Sequence, residues 1–404
     1  MKKVALYLSG IGTGGIESVT ISQFLYMDKS NIEVEFLVDS SPSHNFNVEK
    51  IKQGNGIIRT CSDNIKSSRF GKFLRPFTFI KAVRNNQYDV VHFRFSHPAS
   101  LIYAFLCKTF CNTKVVVTSE SQGAVHLPLH YRILCYLCSK FFPIFCDIRL
   151  ADSNPAGRWM FGKSSFIVMA DGFDTLSKKY SQRDRDTLRE ELKILPNEIL
   201  IGHIGRFVPE KNHSFIVDVF EDYMKVHPNS KLLLFGKGNL RENIISKCKE
   251  KGLYNKCIFI ESVDNLDHYY SAMDVFLFPS ICEGFGMVAA EAQAASLPVL
   301  ASSAVPLETK QTDIFLFEEL SAPKSKWVED IDNLLRIEIT LSNIYYRLLM
   351  LEIYREVESG EYTTNLKMLL NILKEESKIL DSYTIEELEV IKESITGKRI
   401  ETNI

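Results

Sequence analysis

Residues 274–302 read "DVFLFPSICEGFGMVAAEAQAASLPVLAS". An apolar run closes at Pro279, the chain turns through Gly284 and Gly286, small residues follow in "MVAAEAQAA", and "PVLAS" resumes the apolar pattern. Runs that are apolar throughout, rather than alternating, suit strands covered on both faces, and a helix between two of them makes a parallel crossover. The unit is strand, glycine turn, helix, strand.

The same alternation extends outward in both directions. Upstream lie "KVALYL", "IEVEFLV", "DVVHF", "KVVVT", "DIRLAD" and "FIVM"; around the opening unit lie "ILIGHI", "KLLLF" and "CIFI". Between the two sets a charged stretch, "KKYSQRDRDTLREELK" (residues 178–193), is followed by Pro196. The pattern predicts an α/β protein with two doubly wound domains, residues 1–177 and 196–325, joined by a charged connection over 178–195. From 326 to 404 the strands cease. Amphipathic helical patterns such as "WVEDIDNLLRI" and "NIYYRLLMLEIYREV" predict a helical C-terminal extension.

The 404 residues suffice for two ordinary domains, and 45% hydrophobic with 24% charged residues is a globular balance. A net charge of -2 gives no global pull toward nucleic acid, so any basic surface must be local. Nine scattered cysteines fit a reducing compartment better than a disulfide framework. The apolar run in "MKKVALYLSGIG" is short for a signal peptide, and "LHYRILCYLCSKFFPIFCDIRL" is interrupted by Arg132, Lys140 and Asp147 before reaching the ~20 residues of a spanning helix. The expected location is the cytoplasm.

Ligands of doubly wound sheets bind outside the carboxyl ends of the strands, so three loops stand out. "SGIGTGGIE" (residues 9–17) follows the first strand, and its glycines permit close backbone approach; without a later ribose-binding acid it is weak evidence for a dinucleotide. "GRFVPEKN" (residues 205–212) carries Arg206, a planar fork, and Lys211, a point charge, which together suit a diphosphate; alone they read as two solvated cations. The third loop is "CEGFG", where glycines opening a helix offer N–H groups to an anion. Yet Glu283 stands in that loop and Glu291 further along the helix, so the two acids reach different places. Glu291 lies among small residues suited to burial, where a carboxylate needs a partner.

Together "GTGGIE", "IGRFVPEKN", the 274–302 unit with its E-x7-E pair, and "AVPLETKQTD" resemble the retaining glycosyltransferases of family 4, in particular the branch of bacterial capsular and exopolysaccharide assembly. The resemblance spans roughly the first 330 residues. It implies the GT-B arrangement, two Rossmann-like domains facing a cleft. By it, Arg206 and Lys211 would bind the diphosphate of a nucleotide sugar, expected to be UDP-linked, and oppose the charge that develops on it. Glu283 would face the donor sugar, Glu291 would accept from the ribose hydroxyls, and the backbone of Gly284, Phe285, Gly286, Met287 and Val288 would contact sugar and phosphate. Val263 and Leu266 would flank the base. Gly14 and Gly15 would let the first domain close over the diphosphate.

The resemblance also implies transfer of a hexose or hexosamine to a glycan acceptor, expected to be lipid-linked, with retention and with no metal or other cofactor. One departure is that Ser119, Glu120, Ser121 and Gln122 stand where relatives carry histidines; His126 is then the acceptor-side candidate. That departure leaves a second reading open, a glycosyltransferase-like subunit without activity that binds a partner enzyme through its helical tail. An epimerase would need acid–base groups that the sequence does not place.

Several other signals have bland readings. "DRD" (residues 184–186) is a solvated run rather than a metal site, and His92 and His97 flank a strand end where packing is the simpler role. Cys135 and Cys138 lack a second pair and read as core. "RFGKFLRPFTFIKAVR" (residues 69–84) mixes basic and aromatic residues and reads as a solvated helix on the sheet, the alternative being a patch that touches anionic lipid.

Overall fold

The computed structural model describes residues 1–12, 14–39, 46–61, 69–123, 127–172, 178–261 and 266–336. The first sheet holds seven strands: β1 (Lys2–Leu8), β2 (Ile32–Val38), β3 (Ile57–Thr60), β4 (Val90–Phe95), β5 (Lys114–Ser119), β6 (Ile148–Ala151) and β7 (Ile167–Val168), in the order β3-β2-β1-β4-β5-β6-β7. The second holds six: β8 (Ile199–Ile204), β9 (Ser230–Phe235), β10 (Cys257–Ile260), β11 (Val275–Phe278), β12 (Val299–Ser302) and β13 (Phe315–Glu318), in the order β10-β9-β8-β11-β12-β13. Every pairing is parallel. The order reverses between β1 and β4 and between β8 and β11, the switch points where such sheets open a crevice. Both sheets lie in one compact unit, Met1–Asp330.

The helices are α1 (Gly15–Tyr26), α2 (Phe46–Gln53), α3 (Arg69–Asn86), α4 (Leu101–Phe110), α5 (Leu129–Phe141), α6 (Asn154–Phe161), α7 (Gln182–Glu191), α8 (His213–Val226), α9 (Arg241–Glu250), α10 (Asp267–Ala272) and α11 (Met287–Ala294). Continuous apolar strands are covered as their composition dictates: β11 and β12 are wholly buried and join α11 through Ala289 and Ala292 in the second core. Small side chains on α11 let it lie close to those strands.

Two strands escape a reading by apolar runs. β3 is "IIRT" and β13 is "FLFE", in each of which a charged residue interrupts or ends the apolar run. β3 also carries the partner of a buried charge. Glu35 of β2 is fully buried, accepting from Arg59 Nη2 at 2.9 Å and from the Tyr88 hydroxyl at 2.6 Å. Burial pushes its carboxyl up, but the bonds from Arg59, Tyr88 and Lys3 outweigh it and hold the pKa at about 2.

The charged stretch expected as a connection is in large part α7, docked on the second domain. Leu188 and Arg189 are buried, Arg189 donates to Asp274 Oδ2 at 3.1 Å, and Arg185 donates to the other oxygen of the same carboxylate. Asp274 in turn accepts from the Leu200 N–H at 2.6 Å, tying α7 to the start of β8. Past β13, residues 324–336 are helical, and Trp327 is buried edge-on against Phe215 of α8, 5.0 Å between ring centres.

Candidate active site

β8 delivers the chain to Gly205 and Arg206 at the switch point. The following loop is shaped by glycines of its neighbour: Gly236 (φ +142) and Gly238 (φ +156) sit where a Cβ would come within 2.1 Å of Gly205 O and 2.3 Å of Phe207 O. Only glycine lets those backbones approach so closely. A short turn, Pro209–Lys211, then points Lys211 across to the loop after β11, and the Ile281 N–H donates to Glu210 O at 2.7 Å, joining the two loops. Lys211 Nζ lies 2.5 Å from Glu283 Oε1 and 5.3 Å from the centre of the Phe278 ring. The acid explains how this lysine tolerates a site where its side chain is only 18% exposed. Arg206 is exposed; its carbonyl accepts from the Val208 N–H at 2.8 Å, while its side chain has no hydrogen bond or ion pair among the described residues.

Gly286 opens α11 with φ +89, a left-handed conformation where a Cβ would also crowd Phe278 at 3.1 Å. Thr309 Oγ1 donates to Phe285 O and fixes the turn from the other side. Met287 and Val288 are the first helical residues, so their N–H groups have no partner further back in the helix. Glu291 has the partners that its setting demanded: it accepts from the Tyr270 hydroxyl at 2.7 Å, and Lys178 Nζ lies 3.3 Å away. The turn and helix place the two acids in separate settings, Glu283 on Lys211 and Glu291 on α10 and the charged stretch.

Gly15 begins α1, and a Cβ there would meet nothing within 4 Å; on Gly14 it would meet only the Glu17 side chain. Packing within the chain does not demand glycine at Gly15. Leu266 packs against the second core just before α10. Val263 and His126 lie outside the described residues.

The first domain contributes a group that the motifs did not reveal, because each member follows a different strand. Arg94 ends β4, and Glu120, Asp152 and Asp171 follow β5, β6 and β7. Arg94 donates to Glu120, to Asp171 Oδ1 at 2.5 Å and to Gln23 Oε1 at 2.7 Å. Arg94 and Glu120 side chains are each 3% exposed. Oxygens of the three acids lie within 4.8 Å of one another, near enough to hold a cation, but the guanidinium already supplies positive charge to two of them. Burial, with Asp171 nearby and despite Arg94, raises the Glu120 carboxyl to about 8. Burial together with the charges of Glu120 and Asp171 raises Asp152 to about 9. The position that departs from a histidine loop thus carries a carboxyl group with a near-neutral pKa.

That group abuts the donor-side loop. A Cβ on Gly284 would lie 2.2 Å from Glu120 O and 2.5 Å from Asp152 Oδ2. Ser153 Oγ donates to Gly284 O at 2.6 Å, Cys282 Sγ to Gly123 O at 3.2 Å, and Gln122 Nε2 to Ala304 O at 2.8 Å. Gly284 is glycine because the first domain rests on it.

His92 Nε2 lies 2.7 Å from Thr118 Oγ1, His97 sits edge-on to Tyr131, and Cys135 and Cys138 are buried. Asp184 is 3.0 Å from His268 Nδ1 and Asp186 accepts from Gln182, both on α7 rather than in the cleft. In α3, Phe79 and Val83 are buried against the first sheet.

Residues 184–338 match the family Glycosyl transferases group 1. The group 1 match begins inside α7 and runs through the whole second sheet, so it covers Arg206, Lys211, Glu283 and Glu291. EpsF of Bacillus subtilis (strain 168), which bears a glycosyltransferase name, is 24% identical over 344 residues, 82% of this chain and 87% of its own length. CapM of Staphylococcus aureus, a capsular polysaccharide biosynthesis glycosyltransferase, is 33% identical over 197 residues, 48% of this chain and 44% of its own. Among solved structures, HepE of Anabaena in complex with UDP and glucose superposes with a TM-score of 0.67 at 17% identity, over 82% of this chain and 89% of that one. The two-sheet architecture is the GT-B fold.

Proposed function

We propose that the protein is a glycosyltransferase of cell-surface polysaccharide assembly, moving a hexose or hexosamine with retention from a UDP-sugar to a lipid-linked glycan, without a metal ion. The observation that carries this reading is the convergence of Lys211 and Glu283 at the mouth of α11, with Arg206 unpaired on the adjoining loop. A lysine held by Glu283 and an unpaired arginine beside N–H groups of a helix start suit a diphosphate leaving group, because positive charge at that place opposes the negative charge that grows on it. Glu283 would exchange its bond to Lys211 for the donor sugar's hydroxyls, which frees the lysine for phosphate. Glu291 would take the ribose diol, and Gly14 and Gly15 would leave room for the diphosphate.

HepE, a structural neighbour, is described with UDP-glucose, and CapM is named for capsular polysaccharide; both support the choice of donor and pathway. Same-face transfer would let the departing phosphate oxygen accept the acceptor proton, so no protein base is required. The test is incubation with a panel of nucleotide sugars and detection of free nucleotide diphosphate. Slow hydrolysis of one donor, abolished in Lys211→Ala, is the expected result; no turnover and no binding of any nucleotide would favour an inactive subunit instead.

A further inference from the structure

α5 wears its apolar side chains outward. It buries Cys135 and Cys138 toward the first domain, while Leu129 (71% exposed), Ile133 (52%), Tyr136 (64%) and Phe141 (56%) face away from it. Ile144, in the turn after the helix, is 75% exposed. A helix laid on a water-soluble sheet normally shows its polar face to solvent, and a run of large exposed apolar side chains marks a surface that meets something else.

The charges say what that is. Between residues 127 and 146 there is no aspartate or glutamate, while His130, Arg132 and Lys140 are exposed on the same helix. Apolar side chains flanked mostly by cations, with Asp147 just beyond them paired to Lys108 at 2.6 Å, complement an anionic lipid surface, because long basic side chains lay their stems along apolar groups and put their heads among phosphates. The sequence pattern of α3 competes poorly. There, of the aromatic side chains among the described residues, Phe79 is buried with Val83 while Phe77 alone is exposed (65%), and Arg75 lies 3.5 Å from Asp39, so the exposed apolar face is smaller than that of α5.

We infer that the outer face of α5 seats the protein on a bilayer of anionic phospholipid. Ile133, Tyr136, Leu137 and Phe141 enter the interface between headgroups and acyl chains, and Arg132 and Lys140 engage the phosphates. Leu129 is six residues after Gly123, whose carbonyl accepts from Cys282 in the donor-side loop. Six extended residues span at most about 20 Å, so the bilayer-facing helix starts near the cleft. This inference deepens the proposed function, resting on it only for the lipid-linked acceptor.

The test is co-sedimentation of the full chain with vesicles of phosphatidylcholine, with and without phosphatidylglycerol. Binding to the anionic vesicles is expected, weakening as salt is raised. Ile133→Glu combined with Leu137→Glu should lower vesicle affinity about tenfold or more, since charges replace buried apolar groups. Arg132→Glu with Lys140→Glu should remove the salt-dependent part. Both positions of the first pair are exposed, so an unchanged melting temperature and unchanged donor hydrolysis without vesicles show that the variants are folded.

Failure of the wild-type chain to sediment would overturn the inference, as would undiminished binding of the Ile133→Glu, Leu137→Glu protein. Loss of a dimer rather than of vesicle binding in that variant would assign the face to a second copy and would also overturn it. Vesicle binding is read without any nucleotide sugar, so a failure of the transferase reading shows up separately, as absent donor hydrolysis.

Discussion

Two charged clusters face each other across the cleft at equivalent places, the carboxyl ends of parallel strands, and they are organised in opposite ways. In the first domain Arg94, Glu120, Asp152 and Asp171 are buried and bonded mostly to one another. In the second, Lys211 is shared with Glu283, while the Arg206 side chain is exposed with no partner among the described residues. The topology fixes where charges gather, and burial decides what they do. A closed cluster holds shape; an open one with unspent positive charge can take a ligand.

The widest gap between the two should appear in stability. Arg94→Leu leaves buried carboxyls without their cation and is expected to cost about 3–5 kcal/mol. Arg206→Ala, at an exposed and unbonded side chain, should stay within about 0.5 kcal/mol. Denaturant melts of the two variants measure this, and similar losses would erase the distinction.

The closed cluster also predicts a pH dependence. In the unfolded chain Asp152 and Glu120 lose their protons near ~4, whereas in the folded protein they keep them to about 9 and about 8. Between those limits the native state holds protons that the unfolded state has released, so stability falls as pH rises, by up to about 1.4 kcal/mol per pH unit for each group, and levels off above the folded pKa. Melting temperatures across that window should decline, and Asp152→Asn should flatten the decline. A stability that rises over the same range would contradict the buried, protonated state.

A smaller effect distinguishes two glycines. Gly284→Ala drives a methyl into the Glu120 carbonyl and should cost about 1–3 kcal/mol, because backbone rather than a mobile side chain must yield. Gly15→Ala meets open space and should leave stability unchanged while weakening donor binding, as measured by nucleotide titration. Equal destabilisation by both would mean that the glycine near α1 is structural.

Most of the fold was legible, because buried parallel strands write themselves as continuous apolar runs; "DVFLFP" and "PVLAS" became β11 and β12 nearly residue for residue. β3 and β13 were not, since a charged residue breaks or ends each apolar run, Glu318 in β13 and, in β3, Arg59, which satisfies Glu35. Charge count misled at α7, where arginines serve Asp274 instead of solvent. In the candidate site, the motifs named the two loops whose Lys211 and Glu283 meet, because those residues lie in compact, glycine-marked segments. Arg94, Glu120, Asp152 and Asp171 are spread over 78 positions and meet only when four strands align. The visible hint was polar residues ending otherwise apolar strands, as in "HFRF", "VTSE" and "RLAD".

The open cluster is tested most directly by comparing Lys211→Ala with Glu291→Ala in donor turnover and donor affinity. In the proposed function Lys211 would oppose charge that develops only as the glycosidic bond breaks, so its loss should lower turnover about 10²–10³-fold with little change in donor affinity. Glu291 would hold a part of the donor that does not react, so its loss should weaken donor binding and leave turnover of bound donor nearly intact. Equal losses of affinity with unchanged turnover in both variants would contradict the assignment of Lys211 to the departing diphosphate.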